Sequence, residues 1–369
     1  MRILHTSDWH LGIPDRTGEV MEDQKFFLEQ LYNIINGEKI DAVIVAGDVY
    51  DSAGVGADAV GVWNEAATKI CLGLHAKMLV ISGNHDSGAR LAVCRELLSA
   101  SGLYISGRLE KDISPVRFTD ADVWLVPFFS RDEIPALWQD EKPKSDEEAM
   151  RVVTRKILEK ADRNRFNIIV SHAFVVGSEL SESDRAAQVG LAQAIPADIY
   201  DGFDYAALGH IHKPQSMTGN VVYSGSPVKY SFGNEEKQTK SVVILDTSTG
   251  EKKLVPLKQL HERLTISGTY DEVMSRDDLS DKYLRLTVTD RYAGLELLSE
   301  ARERFPFLRE LYGMSVQPGG EMSAISPEEL DKLDETDILL RFMEEQYGEK
   351  PDEEQISLFR EVMKSEEKE

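Results

Sequence analysis

Five short motifs carry side chains of the kinds that bind metal ions and transfer protons. In chain order they are Asp8-Trp9-His10, Gly47-Asp48-Val49-Tyr50-Asp51, Gly83-Asn84-His85-Asp86, His172 and Gly209-His210-Ile211-His212. A carboxylate can bridge two ions, imidazoles add neutral ligands, and an amide oxygen completes a coordination shell without adding charge. Two divalent ions about 3.5–4 Å apart supply a hydroxide nucleophile and neutralise phosphoryl oxygens during phosphate-ester hydrolysis. The ordered set therefore predicts a dinuclear phosphoesterase centre.

Each motif alone is weak evidence for such a centre. An isolated Asp-x-His or His-x-His pair is more often surface decoration than a ligand pair, and Gly-Asn-His-Asp alone is typical of a polar turn. His172 alone is typical of a hydrogen-bonded histidine at a strand end. The alternating spacing of Asp8 with His10, and of His210 with His212, puts both side chains of each pair on one side of an extended segment. The prediction therefore depends on the combination.

Strands must place these motifs, and the sequence predicts one before each of them. These five strands are predicted at residues 2–7, 41–46, 77–82, 167–171 and 205–208, and further strands at 123–127, 221–224 and 241–246. Helices are predicted at about 19–38, where apolar residues recur at helical spacing, and from Asp58, the expected N-cap, to about residue 72. Strand–helix alternation with short connections predicts a layered α/β domain. The motifs then lie at the carboxyl ends of strands, where such sheets bind ligands.

The pattern changes near Leu260, which predicts a domain boundary there. Residues 1–260 form the predicted catalytic domain. Residues 261–345 are predicted to form a smaller α+β domain, with strands at 263–267, 283–289 and 311–317 and a helix at about 295–304. Residues 346–369 form an acidic tail with one helical stripe of Ile356, Phe359 and Met363. A stripe this narrow indicates a partner-docking helix, and a frayed surface helix is the alternative.

Composition limits the classes of function. The 369 residues carry a net charge of −23, of which −10 lies in the acidic last 43 residues. This balance argues against a protein that coats nucleic acid through a basic surface, but not against an enzyme that meets DNA through metal ions. The sequence contains two cysteines, too few for a disulfide framework, and its apolar runs are shorter than the about 20 residues that a membrane span requires. We expect a cytoplasmic, nucleoid-associated protein.

The ordered motifs resemble the calcineurin-like metallophosphoesterase superfamily. The opening Asp8-Trp9-His10-Leu11-Gly12 and the segment Tyr223-Ser224-Gly225-Ser226-Pro227 are similar to one branch of it, bacterial DNA nucleases that act with a coiled-coil ATPase. The resemblance implies a four-layer α/β/β/α domain, an α+β domain that caps the cleft and selects DNA, and a helical C-terminal tail that docks the ATPase. It implies ATP-dependent exonuclease action on double-stranded DNA and endonuclease action on hairpins and single strands, in recombination, replication and repair. It also implies a homodimer within a heterotetramer.

The resemblance assigns a role to each site residue. Asp8, His10, Asp48 and His212 would hold one ion, and Asp48, as the bridge, would hold the other with Asn84, His172 and His210. His85 would stabilise the phosphoryl transition state or protonate the leaving oxygen. Asp51, the second candidate catalytic residue, stands where relatives outside bacteria carry a histidine, so a supporting hydrogen bond is expected of it. The ligand types accept manganese, iron or zinc, and the resemblance implies two Mn²⁺ ions.

Two other functions are open from the sequence. A metallophosphoesterase for nucleotides or phosphomonoesters would share all five motifs, without needing a cap or a tail. A non-catalytic scaffold in a DNA complex would be expected to lack at least one ligand, whereas every ligand position is filled here. Trp9 is predicted either to cover the site or to pack in the core, and His5, inside a strand, is expected to be a core residue.

Overall fold

The computed structural model describes residues 1–14, 19–187, 194–314 and 355–356. The strands are β1 Arg2–Thr6, β2 Ala42–Ala46, β3 Lys77–Ile81, β4 Leu103–Ser106, β5 Val116–Arg117, β6 Ala121–Val126, β7 Phe166–His172, β8 Tyr205–Gly209, β9 Gln215–Ser216, β10 Val221–Tyr223, β11 Ser241–Asp246, β12 Lys252–Pro256, β13 Arg263–Gly268, β14 Tyr283–Tyr292 and β15 Leu308–Met314. The helices are α1 Glu19–Glu38, α2 Ala57–Thr68, α3 Gly88–Leu91, α4 Arg95–Ser99, α5 Ile134–Leu137, α6 Asp146–Leu158, α7 Glu182–Ala187, α8 Tyr270–Met274 and α9 Leu295–Arg304.

Two six-stranded sheets form the larger part of the chain. The first has the order β12-β11-β1-β2-β3-β4 and the second the order β5-β6-β7-β8-β10-β9. Neighbouring strands run parallel from β1 to β4 in the first sheet and from β6 through β7 and β8 to β10 in the second. Antiparallel strands complete the edges. In the parallel part of each sheet the carboxyl ends of the strands therefore share one edge.

Successive side chains of the central strands point to opposite faces of the sheet and so belong to different core layers. In β2, which is buried throughout, Val43 and Val45 belong to the apolar core that contains residues of α1 and α2. Ala42, Ile44 and Ala46 belong to a second core, shared with residues of the other sheet. This is the period of two that a strand covered on both faces requires. A third core joins the outer face of the second sheet to α6. The predicted four-layer α/β/β/α class is confirmed.

Several local features depart from the predictions; strand β15, predicted at 311–317, is observed at Leu308–Met314. Asp58 lies in the first turn of α2, and Gly56 occupies the N-cap. The capping role predicted for Asp58 is therefore wrong. The chain also continues past α2 as a π-helical turn, Lys69–Gly73. Strand β12 was not predicted, because its residues Lys252 to Leu254 are exposed and lysines are typical of edge strands rather than buried ones.

The chain divides into two compact units. The first contains residues 1–265 and 281–283, and the second contains 266–280 and the residues from 284 onward. Most of the described second unit is a three-stranded sheet of order β13-β14-β15 with helices α8 and α9. The predicted tail stripe lies outside the described residues except for Ile356. Among the described helices, none has the length and apolar character needed to cross a bilayer.

Candidate metal centre

The five motifs meet at the carboxyl ends of strands from both sheets. Asp8, Asp48 and Asn84 follow β1, β2 and β3, while His172 ends β7 and His210 follows β8. The backbone there is strained, since φ is positive at Asp8 (53°), His10 (44°), Asp48 (47°) and His210 (99°). Such conformations cost on the order of 1–3 kcal/mol each and concentrate at functional sites.

Two glycines allow the chains to approach this closely. A Cβ atom on Gly47, where φ is +92°, would lie 2.4 Å from Nδ1 of His172. A Cβ atom on Gly83 would lie 2.1 Å from Oδ1 of Asp48. Both contacts are far inside van der Waals distance, so these positions require glycine. The glycine of each motif is thus needed to bring the ligand-type side chains together.

Asp8, His10 and His212 form the first buried cluster, with ligand atoms within 4.8 Å of one another. Nε2 of His10 lies 3.1 Å from Nε2 of His212. The Asp8 carboxylate accepts hydrogen bonds from the backbone N–H of His210 at 3.0 Å and from the Ser7 hydroxyl at 2.6 Å. These bonds fix the carboxylate where it faces the two imidazoles.

Asp8, Asp48 and His172 form the second cluster, again with ligand atoms within 4.8 Å. Nε2 of His172 lies 3.3 Å from Oδ2 of Asp48 and 2.9 Å from Oδ1 of Asn84. Oδ1 of Asn84 lies 3.0 Å from Nδ1 of His210. Asp48 is also 3.8 Å from Nε2 of His10. Asp48 therefore approaches a histidine of each cluster, and Asp8 belongs to both clusters.

His85 and Asp51 form a third group with His10, and the ligand atoms of this group also lie within 4.8 Å of one another. The backbone carbonyl of Asp51 accepts a hydrogen bond from Nδ1–H of His85 at 2.7 Å, because a carbonyl oxygen can only accept. The backbone N–H of His85 donates to Oδ1 of Asp48 at 2.9 Å. The Asp51 carboxylate is 3.3 Å from Nδ1 of His10. The structure thus brings all nine candidate site residues to one place, with Asp51 contacting His85 through its backbone.

Buried carboxylates dominate the electrostatics of the centre. Burial by itself lowers the pKa of His10 and His172, but neighbouring carboxylates, above all Asp51 for His10 and Asp48 for His172, raise both values to about 9. Burial raises the pKa of Asp48, and the histidines around it outweigh burial and hold it well below its usual range. Burial lowers the pKa of His210 to about 3 and that of His212 to about 4. The buried carboxylates are therefore stabilised by nearby positive charge, which either protonated histidines or metal ions can supply.

Asp86 holds two of the site loops together. Its carboxylate accepts hydrogen bonds from the backbone N–H groups of Val49 at 3.1 Å, Tyr50 at 2.9 Å and Gly83 at 2.9 Å. It joins the loop after β2 to the loop after β3, which carry Asp48 and Asn84. The motif predicts for Asp86 either a turn position or hydrogen bonds that support the site, and the structure shows the supporting hydrogen bonds.

Four residues that contact His212, directly or through Lys240, were not predicted from the motifs as part of the site. Nδ1 of His212 lies 2.9 Å from the Ser183 hydroxyl, and its backbone N–H donates to Asp184 at 3.1 Å. The fully buried Lys240 donates to the His212 carbonyl at 2.8 Å and to Glu235 at 2.6 Å. Such outer contacts orient a metal-binding imidazole. Lys240 and Glu235 lie far from the motifs in sequence, so only the fold reveals them.

Trp9 packs in the core and does not cover the site. Its side chain is 0% exposed, and Nε1–H donates to the Thr6 hydroxyl at 3.1 Å. Its ring makes edge contacts with Phe27 and Trp63. The covering role predicted as one alternative is therefore wrong, and the packing role is confirmed.

The donor set fits a divalent metal ion. Carboxylate and imidazole ligands of the kinds that such ions prefer are buried together, with their donor atoms in reach of one another. Among the described residues, Nδ1 of His10 is a buried polar atom with no hydrogen bond of good geometry, although the Asp51 carboxylate lies 3.3 Å from it. A buried cluster of this composition is stabilised by a bound cation, because its carboxylates repel one another without one.

Comparison with known proteins agrees with this geometry. The chain is 28% identical over 349 residues to the SbcD component of the nuclease SbcCD from Staphylococcus epidermidis, covering 93% of this chain and 92% of that protein. It is 29% identical over 360 residues to the SbcD component of the same nuclease from Staphylococcus saprophyticus, covering 95% and 94% respectively. The sequence profile of the family described as "Calcineurin-like phosphoesterase" matches residues 1–214, more than half of the chain. With its two sheets and its buried Asp–His clusters, the chain belongs to the calcineurin-like phosphoesterase family.

Proposed function

We propose that this protein is a metal-dependent DNA nuclease that hydrolyses phosphodiester bonds. The observation that carries the proposal is the pair of adjoining buried Asp–His clusters that share Asp8, with the Asp48 carboxylate 3.3 Å from His172 of one and 3.8 Å from His10 of the other. The relatives that align with more than nine-tenths of the chain are named as components of a nuclease, which favours DNA over small phosphate esters as the substrate.

The proposed centre holds two divalent ions, Mn²⁺ by preference. Asp8, His10, Asp48 and His212 are the proposed ligands of one ion, and Asp48, Asn84, His172 and His210 those of the other. A bound pair of ions supplies an activated water nucleophile near neutral pH and neutralises charge on the phosphoryl oxygens. The close approach of Asn84 to both His172 and His210 supports the second set.

His85 is the proposed proton donor to the leaving oxygen or stabiliser of the transition state. The Asp51 carbonyl holds its Nδ1–H, so the ring orientation is fixed and Nε2 is the nitrogen that can exchange a proton with substrate. The Asp51 carboxylate is proposed to support His10, from which it is 3.3 Å away. Both residues then act without binding an ion.

The proposed partner is an SbcC-type coiled-coil ATPase, with which the chain acts as an ATP-dependent exonuclease and hairpin or single-strand endonuclease. The proposed assembly is a homodimer within a heterotetramer. Residues 261–345 are proposed to cap the DNA, and residues 346–369 to dock the ATPase. A chain truncated after residue 345 is expected to lose ATPase binding in a pull-down and to retain hydrolysis of bis(4-nitrophenyl) phosphate. Full-affinity binding by the truncated chain would contradict the tail proposal.

A substrate panel tests the main proposal. The purified chain with added manganese is expected to hydrolyse a small phosphodiester and single-stranded DNA, and to act on linear duplex DNA together with the ATPase. Faster hydrolysis of phosphomonoesters or nucleotides than of any diester would favour the alternative phosphoesterase. Metal binding without hydrolysis of any substrate would favour the non-catalytic scaffold.

A further inference from the structure

A cavity of about 200 Å³ opens beside the candidate metal centre. Phe128 and Phe129 line it from the segment after β6, Phe174 from the segment after β7, and Met150 from α6. His172, a proposed metal ligand, forms part of the same wall. The lining is mainly apolar and aromatic, which does not suit a bare phosphate and suits a flat, uncharged ring.

The three phenylalanines are more exposed than the two core tryptophans of this unit. Trp9 and Trp124 are completely or almost completely buried, whereas Phe128, Phe129 and Phe174 are each half-buried. The rings also lie at the centre itself. Phe128 is 6.4 Å from the His172 ring, and Phe174 is 6.4 Å from the His210 ring, between centroids. Partly exposed aromatic rings thus lie close enough to the proposed metal ligands for a single nucleotide to contact both.

We propose that this cavity binds the nucleobase of the nucleotide whose phosphate is held at the metal centre. The inference rests on the proposed function and adds a base site to it. Unstacked bases bind aromatic side chains without requiring a particular sequence, as a nuclease that degrades arbitrary DNA needs. The exposed Arg131 at the rim offers a cation to a neighbouring phosphate. A base must leave the duplex to enter, so single strands and frayed ends are the favoured substrates.

Two small ligands test the base site separately from the phosphate site. Deoxyadenosine 5′-monophosphate and 2-deoxyribose 5-phosphate share a sugar phosphate and differ in the base. Their dissociation constants for the manganese-loaded full chain are measured by calorimetry. A base stacked on aromatic side chains contributes a factor of about 10–100 in affinity. The wild type is expected to prefer the nucleotide by about that factor.

Variants locate the preference in the cavity. Phe129→Leu and Phe174→Leu, which remove an aromatic face but keep the site apolar, are expected to bring the preference close to one, and Phe129→Tyr is expected to keep it. Phe118→Leu is the matched control, because Phe118 is also half-buried but lies near Asp120, and it is expected to keep the preference. Melting temperatures show that each variant is folded, and Phe129→Tyr and Phe129→Leu form the decisive pair if Phe174→Leu does not fold.

The outcomes separate the base site from the proposed function. Equal affinity of the wild type for the two ligands, or an unchanged preference in Phe129→Leu, would overturn the base site while leaving the metal centre intact. Failure of both ligands to bind would contradict the metal centre, and the base site with it. Loss of the preference in Phe118→Leu as well would show a general structural effect and would also overturn the assignment.

Discussion

The space between the two sheets and the edge where their strands end are built from opposite kinds of residue. Between the sheets, Ile44, Leu79, Ile168 and other aliphatic side chains are fully buried. At the edge, Asp8, Asp48 and His172 are nearly as buried, but they are ionisable, and four residues there have positive φ. The apolar packing between the sheets stabilises the fold, whereas the buried ionisable groups and the positive φ angles at the edge cost stability. Local violations of this kind mark functional sites.

Stability and chemistry can therefore be changed separately in this molecule. Substitutions between the sheets should lower the free energy of unfolding without altering the number of bound metal ions. Substitutions at the edge should change metal binding or turnover with smaller effects on folding. Asp184, Glu235 and Lys240, which surround His212, form an intermediate class, because they are both buried and charged.

His85→Gln is expected to give the largest effect, confined to turnover. Glutamine keeps hydrogen-bonding capacity but cannot donate a proton near neutral pH, and general acid catalysis contributes a factor of about 10²–10⁴. The turnover number on single-stranded DNA should fall by about this factor, with metal content by elemental analysis and melting temperature close to wild type. Loss of an ion would make His85 a ligand, and unchanged turnover would make it a bystander.

Lys240→Met is expected to weaken both folding and the centre. It leaves Glu235 buried and unpaired; burial raises the pKa of that carboxyl, but Lys240 and His212 lower it to about 2. Breaking a buried ion pair from one side costs about 3–5 kcal/mol of unfolding free energy, measured by urea denaturation. Metal affinity should also fall by a factor of about 10–100, because the contacts that orient His212 are disturbed.

The double variant Lys240→Met/Glu235→Gln is the control for that loss. It removes both charges, so it should recover much of the unfolding free energy that Lys240→Met loses. If the double variant is as unstable as the single one, the loss comes from packing around Lys240 rather than from an unpaired carboxylate.

Ile44→Ala tests the region between the sheets. Removing these buried carbons should cost about 2–5 kcal/mol of unfolding free energy, and Ile44→Val about 0.5–1.5 kcal/mol. Neither variant should change the number of bound ions. Val60→Ala in α2, where the side chain is 44% exposed, is the matched control and should be nearly neutral. A change in metal number in Ile44→Val would show that the two regions are coupled.

His5→Asn is expected to give the smallest effect, a change in how the unfolding free energy depends on pH. Burial lowers its pKa to about 3, although the Leu208 carbonyl opposes this. The unfolded chain binds a proton at this histidine below about pH 6.5 and the folded chain does not, so acidification favours unfolding. Between pH 7 and pH 5 the unfolding free energy should fall by about 1–2 kcal/mol more in wild type than in His5→Asn.

The exposed His75 supplies the control for His5. His75→Asn makes the same exchange at an exposed position, so it measures the effect of the His-to-Asn exchange without burial. The same slope in His5→Asn and in wild type would contradict the assignment of the acid-sensitive proton to His5.

Much of the fold was predictable because the central strands have simple patterns. The run Ala42–Ala46 is apolar throughout, and the strand Ser241–Asp246 was predicted with its observed bounds. The site motifs were predictable for the same reason, since each directly follows a strand. The edge strand Lys252–Pro256 was missed because sheet edges tolerate charge, so its residues do not differ from those of a loop.

The rest of the site could not be predicted because it depends on contacts between distant segments. Lys240 reaches the carbonyl of His212, and Tyr205 reaches His5, across 28 and 200 residues respectively. No spacing rule connects such positions. The left-handed backbone at Asp8 and Asp48 was equally hidden, because aspartate does not require that conformation and only the surrounding fold imposes it.

The number of bound metal ions distinguishes a centre bridged by Asp48 from one that holds a single ion. Wild-type chain and Asp48→Ala are loaded with manganese, dialysed and measured by elemental analysis. Because Asp48 lies within 3.8 Å of His10 and 3.3 Å of His172, its loss should remove the shared anion. We expect two ions per chain in the wild type, one or none in Asp48→Ala, and no DNA cleavage by the variant. A wild type that holds a single ion, or a variant that keeps two, would contradict the two-ion centre bridged by Asp48.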